Sequence, residues 1–197
     1  MMRSSVTVAA IIFGALVAGC ATLPPGGDDM SYAQRRDHLA QIDTWELRGR
    51  IAVNTGEQAF QGRFQWSQHP ERLALSVRGP LGTNVLRVSG PRDSLTIEAR
   101  GEVWTLEAPE SQLSELVGWW LPVTSFPSWL LGIPDPAYAA RERMSRDGVL
   151  ESLAQRLWQL DYASYQLVAG VLIPRRIDLR HDQLEFRIVV DSWQPSP

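Results

Sequence analysis

The sequence predicts a mainly β protein: one curled antiparallel sheet of roughly ten or eleven strands, with helices at its start and its middle. Three observations carry this. Short segments alternate apolar and polar residues with period two. Turn residues such as HPER, GPLG and GPRD separate them, and the alternation is interrupted once, near the middle, by apolar residues at helical spacing. A sheet of that length must curl, and with one apolar face it either closes into a barrel or stays open and needs a cover.

The chain opens MMRSSVTVAAIIFGALVAGC. One basic residue, Arg3, precedes an apolar run from Val6 to Val17 that is too short to span a bilayer, and small residues follow. This is the layout of a secretory signal peptide, residues 1–19. Val17-Ala18-Gly19-Cys20 resembles the bacterial lipobox, in which cleavage precedes the cysteine and the cysteine is acylated. Cys20 is the one cysteine of the chain, so no internal disulfide can form, and lipidation is its expected role. Alanine rather than aspartate at position 21 resembles the sorting pattern for the outer membrane, so a lipid anchor on its periplasmic face is expected. Residues 20–30, rich in Pro, Gly and Asp, read as a lipidated N-terminus and flexible tether, and residues 31–197 as a single domain.

SYAQRRDHLAQI, residues 31–42, has an N-cap serine and good helix formers and predicts the first helix. WELRGRIAV then places Trp45, Leu47, Gly49, Ile51 and Val53 on one face, and FQGRFQW does the same with Phe60, Gly62, Phe64 and Trp66. LALSV, NVLRVS, SLTIEA and EVWTL continue the alternation as a meander of hairpins. APESQLSELVGWWLP breaks it: Pro109 suits a first helical position, and Leu113, Leu116 and Val117 recur at helical spacing. SFPSWLLG predicts a second short helix, capped by Ser125 and ended by Gly132. Strands resume with GVLESLAQ, RLWQLDYA, RRIDLR and LEFRIVVDSW. The helical block is the obvious cover for an open sheet.

Composition excludes several function classes. The formal charge is −3, and about −4 once residues 1–19 are removed, which gives no electrostatic footprint for nucleic acid. Every basic side chain is arginine; without lysine there is neither a P-loop nor a Schiff base. His38, His69 and His181 lie far apart and form no HExxH pair, so no metal site is predicted. No G-x-S-x-G elbow occurs, and Ser67, Ser76, Glu185 and Asp191 read as solvent-facing positions on strands. No catalytic residue and no cofactor is assigned, and the chain is not expected to be an enzyme.

Two features remain. The inward faces carry Trp45, Phe64, Trp66, Trp104, Trp158 and Tyr162, with Trp129 offered by the helical block. On alternation alone this aromatic face is either a packed core or the wall of a ligand cavity. The second feature is Gly79-Pro80-Leu81-Gly82, which reads as a tight type I turn with leucine at its tip, where Asn, Asp or Ser would be the soluble choice. Leu81 either projects into solvent or folds back on a neighbouring strand, and the turn geometry favours projection.

Taken in order, the motifs resemble the LolB family, outer-membrane lipoproteins that receive other lipoproteins from the periplasmic carrier LolA. The landmarks are the lipobox at Cys20, W-x-x-x-GRIAV from Trp45, F-x-W ending at Trp66, GPLG around Leu81, LPV at 121–123 and WLLGIP from Trp129. Trp158 with Tyr162, Leu-Ile-Pro before Arg175, and Asp-Ser-Trp193 complete the set. Trp119-Trp120 makes the middle block more aromatic than the family pattern. The resemblance implies a LolA/LolB-like fold, an unclosed β-barrel of about 11 strands under a lid of short helices, enclosing an apolar cavity for acyl chains. The implied cavity residues are Phe64, Trp66, Leu75, Leu86, Val88, Ile97, Trp129, Trp158 and Leu160, and Gly79, Pro80, Leu81 and Gly82 form the implied membrane-insertion loop. The implied partners are a LolA-like periplasmic carrier, acylated lipoprotein cargo and outer-membrane phospholipid, with the protein acting as a monomer. The alternative is a non-catalytic outer-membrane lipoprotein that scaffolds an envelope assembly around a filled core.

Overall fold

A computed structural model of the chain describes residues 30–196. The expected signal peptide, Cys20 and the rest of the expected tether up to residue 29 lie outside the described residues. Ser31 caps α1 (Tyr32–Ala40): its hydroxyl accepts from the Gln34 backbone N–H while the Gln34 side chain accepts from the Ser31 N–H, a reciprocal capping box. A first meander follows, β1 (Trp45–Asn54), β2 (Ala59–Gln68), β3 (Arg72–Arg78), β4 (Asn84–Pro91), β5 (Leu95–Ala99) and β6 (Glu102–Leu106). The helical block holds α2 (Pro109–Val117) and α3 (Phe126–Leu130). The second meander is β7 (Ala140–Met144), β8 (Leu150–Gln155), β9 (Trp158–Val168), β10 (Val171–His181) and β11 (Leu184–Pro195).

All eleven strands among the described residues join one antiparallel sheet in the order β6-β5-β4-β3-β2-β1-β11-β10-β9-β8-β7. The last strand pairs with the first, Trp45 facing Pro195 and Asn54 facing Glu185, which leaves β6 and β7 as unpaired edges. The barrel is therefore unclosed, as the resemblance implied. Because the chain leaves the sheet at one edge and returns at the other, residues 107–139 must bridge the opening between them. Topology alone makes the helical block a cover.

Two local readings change. Ala140–Met144 (ARERM) is a strand that alternation does not announce, since four of its five residues are exposed and three are charged. It forms because β8 offers it a partner, and its charges suit an exposed edge. Ser125 precedes α3 but makes no cap hydrogen bond. Pro127 occupies one of the positions whose N–H a cap would satisfy, and the Ser125 hydroxyl accepts from Arg156 at 3.0 Å while donating to the Asp135 carboxylate at 2.6 Å. Gly132 ends α3 as expected: at φ +76° it lets its own N–H reach the Trp129 carbonyl and the Ile133 N–H reach that of Ser128, a Schellman arrangement.

The main core runs along the concave face, from Trp45 and Leu47 through Leu153, Leu160, Ile177 and Leu179, with Trp129, Leu130, Leu131 and Ile133 of the helical block packed on it. Met30, the first described residue, packs against the same core.

Candidate functional site

Strand register converts the alternating residues into rows. Trp66 faces Leu75, Leu75 faces Val88, Val88 faces Ile97 and Ile97 faces Trp104, an unbroken apolar row across β2 to β6. Beside it, Phe64 faces Val77 and Val77 faces Leu86. Six of the nine residues assigned to the cavity thus lie in two adjacent rows on one half of the sheet. Phe64, Trp66 and Ile97 are buried, whereas Leu75, Leu86 and Val88 are half-buried. Ile97 belongs with Leu106 and Leu113 to a small cluster separate from the main core. Leu86, Val88, Leu121 and Val123 touch both clusters, so a partly exposed apolar strip runs between them, with Trp104 at its outer side.

The other three residues sit elsewhere. Trp158 and Leu160 of β9 and Trp129 of α3, which packs over the second half of the sheet, are fully buried and close-packed. Trp158 lies against Phe186 and His181, with ring centroids 5.6 and 5.3 Å away, and Phe126 packs edge-on to Trp129 and Trp158. Open space lies at the strip's edge instead. A groove of about 570 Å³, within the size range of ligand clefts, is lined by Val103, Trp104, Thr105 and Leu106 of β6 and by Gln112, Glu115 and Leu116 of α2. A pocket between Leu73, Leu95, Val123 and Pro127, of about 10 Å³, has room for roughly one water.

The cover is fastened by polar groups that alternation could not reveal. Gln155, buried at the end of β8, accepts from Trp129 Nε1–H at 2.8 Å and from the Asp135 N–H at 2.9 Å, and its amide donates to the carbonyls of Asp135 and Tyr138, both at 2.8 Å. Tyr162 donates to the Trp129 carbonyl at 3.1 Å. All of the Gln155 amide's groups find partners, which is what makes such a buried network rigid. Arg156, the next residue, adds a second fastening. It pairs with Glu110 of α2 through two contacts of 2.9 and 2.5 Å and donates to Thr124 Oγ1 and Ser125 Oγ at 3.1 and 3.0 Å. Its guanidinium also lies over the rings of Tyr138 and Trp120, 4.0 and 4.8 Å from their centroids. The side chains of Arg156 and Glu110 are only 9% and 21% exposed. Burial would push the Glu110 carboxyl up, but hydrogen bonds from Arg156 and Thr124, together with the Arg156 charge, outweigh it, and the group titrates below the ordinary carboxylate range. The helical block is thus clasped to the β8–β9 hairpin by one ion pair and its neighbours.

At the β3–β4 hairpin the Gly82 N–H reaches the Gly79 carbonyl at 2.9 Å and the Gly79 N–H reaches the Thr83 carbonyl at 3.0 Å. Gly82 takes φ +79° while Leu81 does not enter the left-handed region, the geometry of a type I turn closed by a glycine bulge. Leu81 is 93% exposed, the most exposed large apolar side chain among the described residues. Val85, beside the turn, is also exposed. Among the described residues no group of three or more His, Cys, Asp and Glu side chains is arranged to hold a metal, and no helix is long and apolar enough to cross a membrane.

Comparison with known proteins agrees with this geometry. The family described as "Outer membrane lipoprotein LolB" matches residues 43–193. The outer-membrane lipoprotein LolB of Stutzerimonas stutzeri is 30% identical over 187 residues, covering 91% of each chain, and that of Pseudomonas aeruginosa is 29% identical over 188 residues, covering 92% of each. Among solved structures, a DUF1329 family protein from Desulfovibrio piger superposes with TM-score 0.54 at 9% identity, covering 82% of this chain and 89% of that one. A LolA superfamily protein from Nitrosomonas europaea superposes with TM-score 0.51 at 8% identity, covering 85% and 94%. The fold is therefore shared with the LolA superfamily, and the match across the whole domain decides the narrower question: the chain belongs to the LolB family of outer membrane lipoproteins.

Proposed function

We propose that this protein is an outer-membrane lipoprotein receptor: it takes acylated lipoproteins from a LolA-like periplasmic carrier, shelters their acyl chains under the helical cover, and releases them into the outer membrane. The observation that carries the reading is the half-buried apolar strip of Leu86, Val88, Leu121 and Val123, which touches both clusters where sheet and cover meet, with Trp104 linking it to the β6–α2 groove. Acyl chains need such a container, because each methylene exposed to water costs about 0.8 kcal/mol. No nucleotide is required if affinity rises from carrier to receptor to bilayer. Residues Phe64, Trp66, Leu75, Leu86, Val88 and Ile97 would line the acyl site. Trp158 and Leu160 of the sheet and Trp129 of the cover would join it only after the cover lifts, since they are close-packed where the two meet. Gly79, Pro80, Leu81 and Gly82 would form the membrane-insertion loop, with acylated Cys20 holding the protein at the membrane and the monomer as the working unit.

The test is transfer. The chain with Cys20→Ala, purified without its lipid, should take radiolabelled lipoprotein from a LolA-like carrier and retain most of it at equilibrium. An excess left on the carrier would refute the affinity order and favour a scaffolding role instead.

A further inference from the structure

The strand register defines the two rims of the sheet. Asn54 faces Ala59, Arg78 faces Asn84, Ala99 faces Glu102, Gln155 faces Trp158 and His181 faces Leu184, and neighbouring strands are antiparallel throughout. The tips at 55–58, 79–83, 100–101, 156–157 and 182–183 therefore share one rim. The most exposed large apolar side chains among the described residues are Leu81, at 93%, and Leu157, at 84%. Both stand on this rim.

Leu157 is unfavourable at its position in two ways. Arg156 and Leu157 take φ of +51° and +66°, the mirror-image type I′ turn that Asn and Gly suit and a leucine does not. Arg156 has a visible compensation, because its guanidinium is clasped to Glu110 and the helical block. The Leu157 backbone is held too: its carbonyl lies 3.1 Å from His181 Nδ1, and as an acceptor it requires the proton on that nitrogen. Only the Leu157 side chain is left without a partner, projecting from a tip fixed at both central residues. Nothing within the domain explains leucine there.

We infer that Leu157 is a second point of contact with a lipid surface, so that the rim seats on the bilayer through two separated leucines, Leu81 and Leu157. This rests on the reading of Leu81 as a membrane probe. Between the two tips in sheet order stand Thr55-Gly56-Glu57-Gln58 and Asp182-Gln183, which break any continuous apolar patch. A protein partner needs contiguous, shape-matched area, whereas fluid hydrocarbon admits isolated side chains. The charges near Leu81 agree. Arg63 faces Arg78 directly on the outer face, next to the Leu81 turn, and among the described residues neither has a carboxylate within 4 Å. Like charges placed opposite each other are destabilising in isolation and favourable beside anionic headgroups.

The experiment uses the Cys20→Ala chain and flotation with vesicles of phosphatidylethanolamine and phosphatidylglycerol. Leu157→Asn relieves the left-handed strain, so its melting temperature should equal or exceed the parent's, and uptake of lipoprotein from a LolA-like carrier should be unchanged. Vesicle binding should fall about tenfold or more, the loss of one buried leucine. Leu157→Gly should behave alike, and Leu81→Glu with Leu157→Asn should bind less than either alone. Binding by Leu157→Asn within twofold of the parent, while Leu81→Glu loses binding, would overturn this inference and leave the Leu81 reading intact. Loss in Leu157→Asn with none in Leu81→Glu would sink the Leu81 reading and keep Leu157 as the contact. Lower melting temperature in both Leu157 variants, or lost uptake from the carrier, would show that the tip serves the fold or the carrier interface.

Discussion

Replacing Glu110 by Gln should loosen the cover by a measurable amount. The change is nearly isosteric and leaves an amide oxygen for Thr124, but it removes the counter-charge of Arg156, whose side chain is 9% exposed. Removing one partner of a buried ion pair costs about 3–5 kcal/mol. Here the amide still accepts one Arg156 N–H and a fifth of the Glu110 side chain is exposed, so about 2–3 kcal/mol is expected. For a domain of this size that lowers Tm by about 4–12 °C. Circular dichroism melts would read it, and a double-mutant cycle with Arg156→Met should return a coupling of about 2 kcal/mol. The gap should depend on pH. Glu110 is held below the ordinary carboxylate range, so its contribution is complete above the unfolded value near 4.3 and is lost as pH falls through the lower folded value. The parent and Glu110→Gln should therefore converge under strong acid. If Glu110 clasps the cover, the variant should also take up a fluorescent acyl probe faster at neutral pH. A Tm within 1 °C of the parent, or zero coupling to Arg156, would refute the clasp.

Three further outcomes are expected. Leu81→Glu should leave acceptance from the carrier nearly intact and lower release into liposomes about tenfold or more, because a carboxylate resists hydrocarbon where leucine gains about 1.5–3 kcal/mol; equal loss of both steps would place Leu81 in the carrier interface. Leu75→Arg, on the half-buried row between Trp66 and Val88, should abolish most acyl-probe uptake, with near-ultraviolet circular dichroism used to confirm the fold. Gly49→Ala should destabilise the domain by about 3 kcal/mol or more, since a Cβ there would lie 2.2 Å from the Val189 carbonyl oxygen and 2.8 Å from Phe64 Cε1; urea denaturation measures it.

Much of the fold was legible because period-two alternation is a local property. Trp45 to Val53, Phe60 to Trp66 and the segments after them declare both the strand and its inward face, and Gly79-Pro80 and Gly132 mark their turn and stop through φ preferences of single residues. Ala140–Met144 was not legible, because an edge strand with charged faces carries no such signal and exists only through its neighbour β8. Ser125 misled for a similar reason: its hydroxyl is engaged by residues distant in sequence, donating to Asp135 and accepting from Arg156, rather than accepting from a local backbone N–H.

The candidate site divides along the same line. Which residues face inward, that leucine tips the Gly79–Gly82 turn and, through the ordered motifs, the family can all be read along the chain, because they depend on sequence neighbours. Which inward residues meet depends on folding. Register set Trp66, Leu75, Val88, Ile97 and Trp104 in one row, and packing left Leu86 and Val88 half-open while sealing Trp158 and Leu160. Gln155, Glu110 and Arg156 were invisible in sequence because their partners lie 14 to 46 residues away, and a glutamine or an ion pair has no meaning until folding brings those partners within hydrogen-bond reach in a place that water has left.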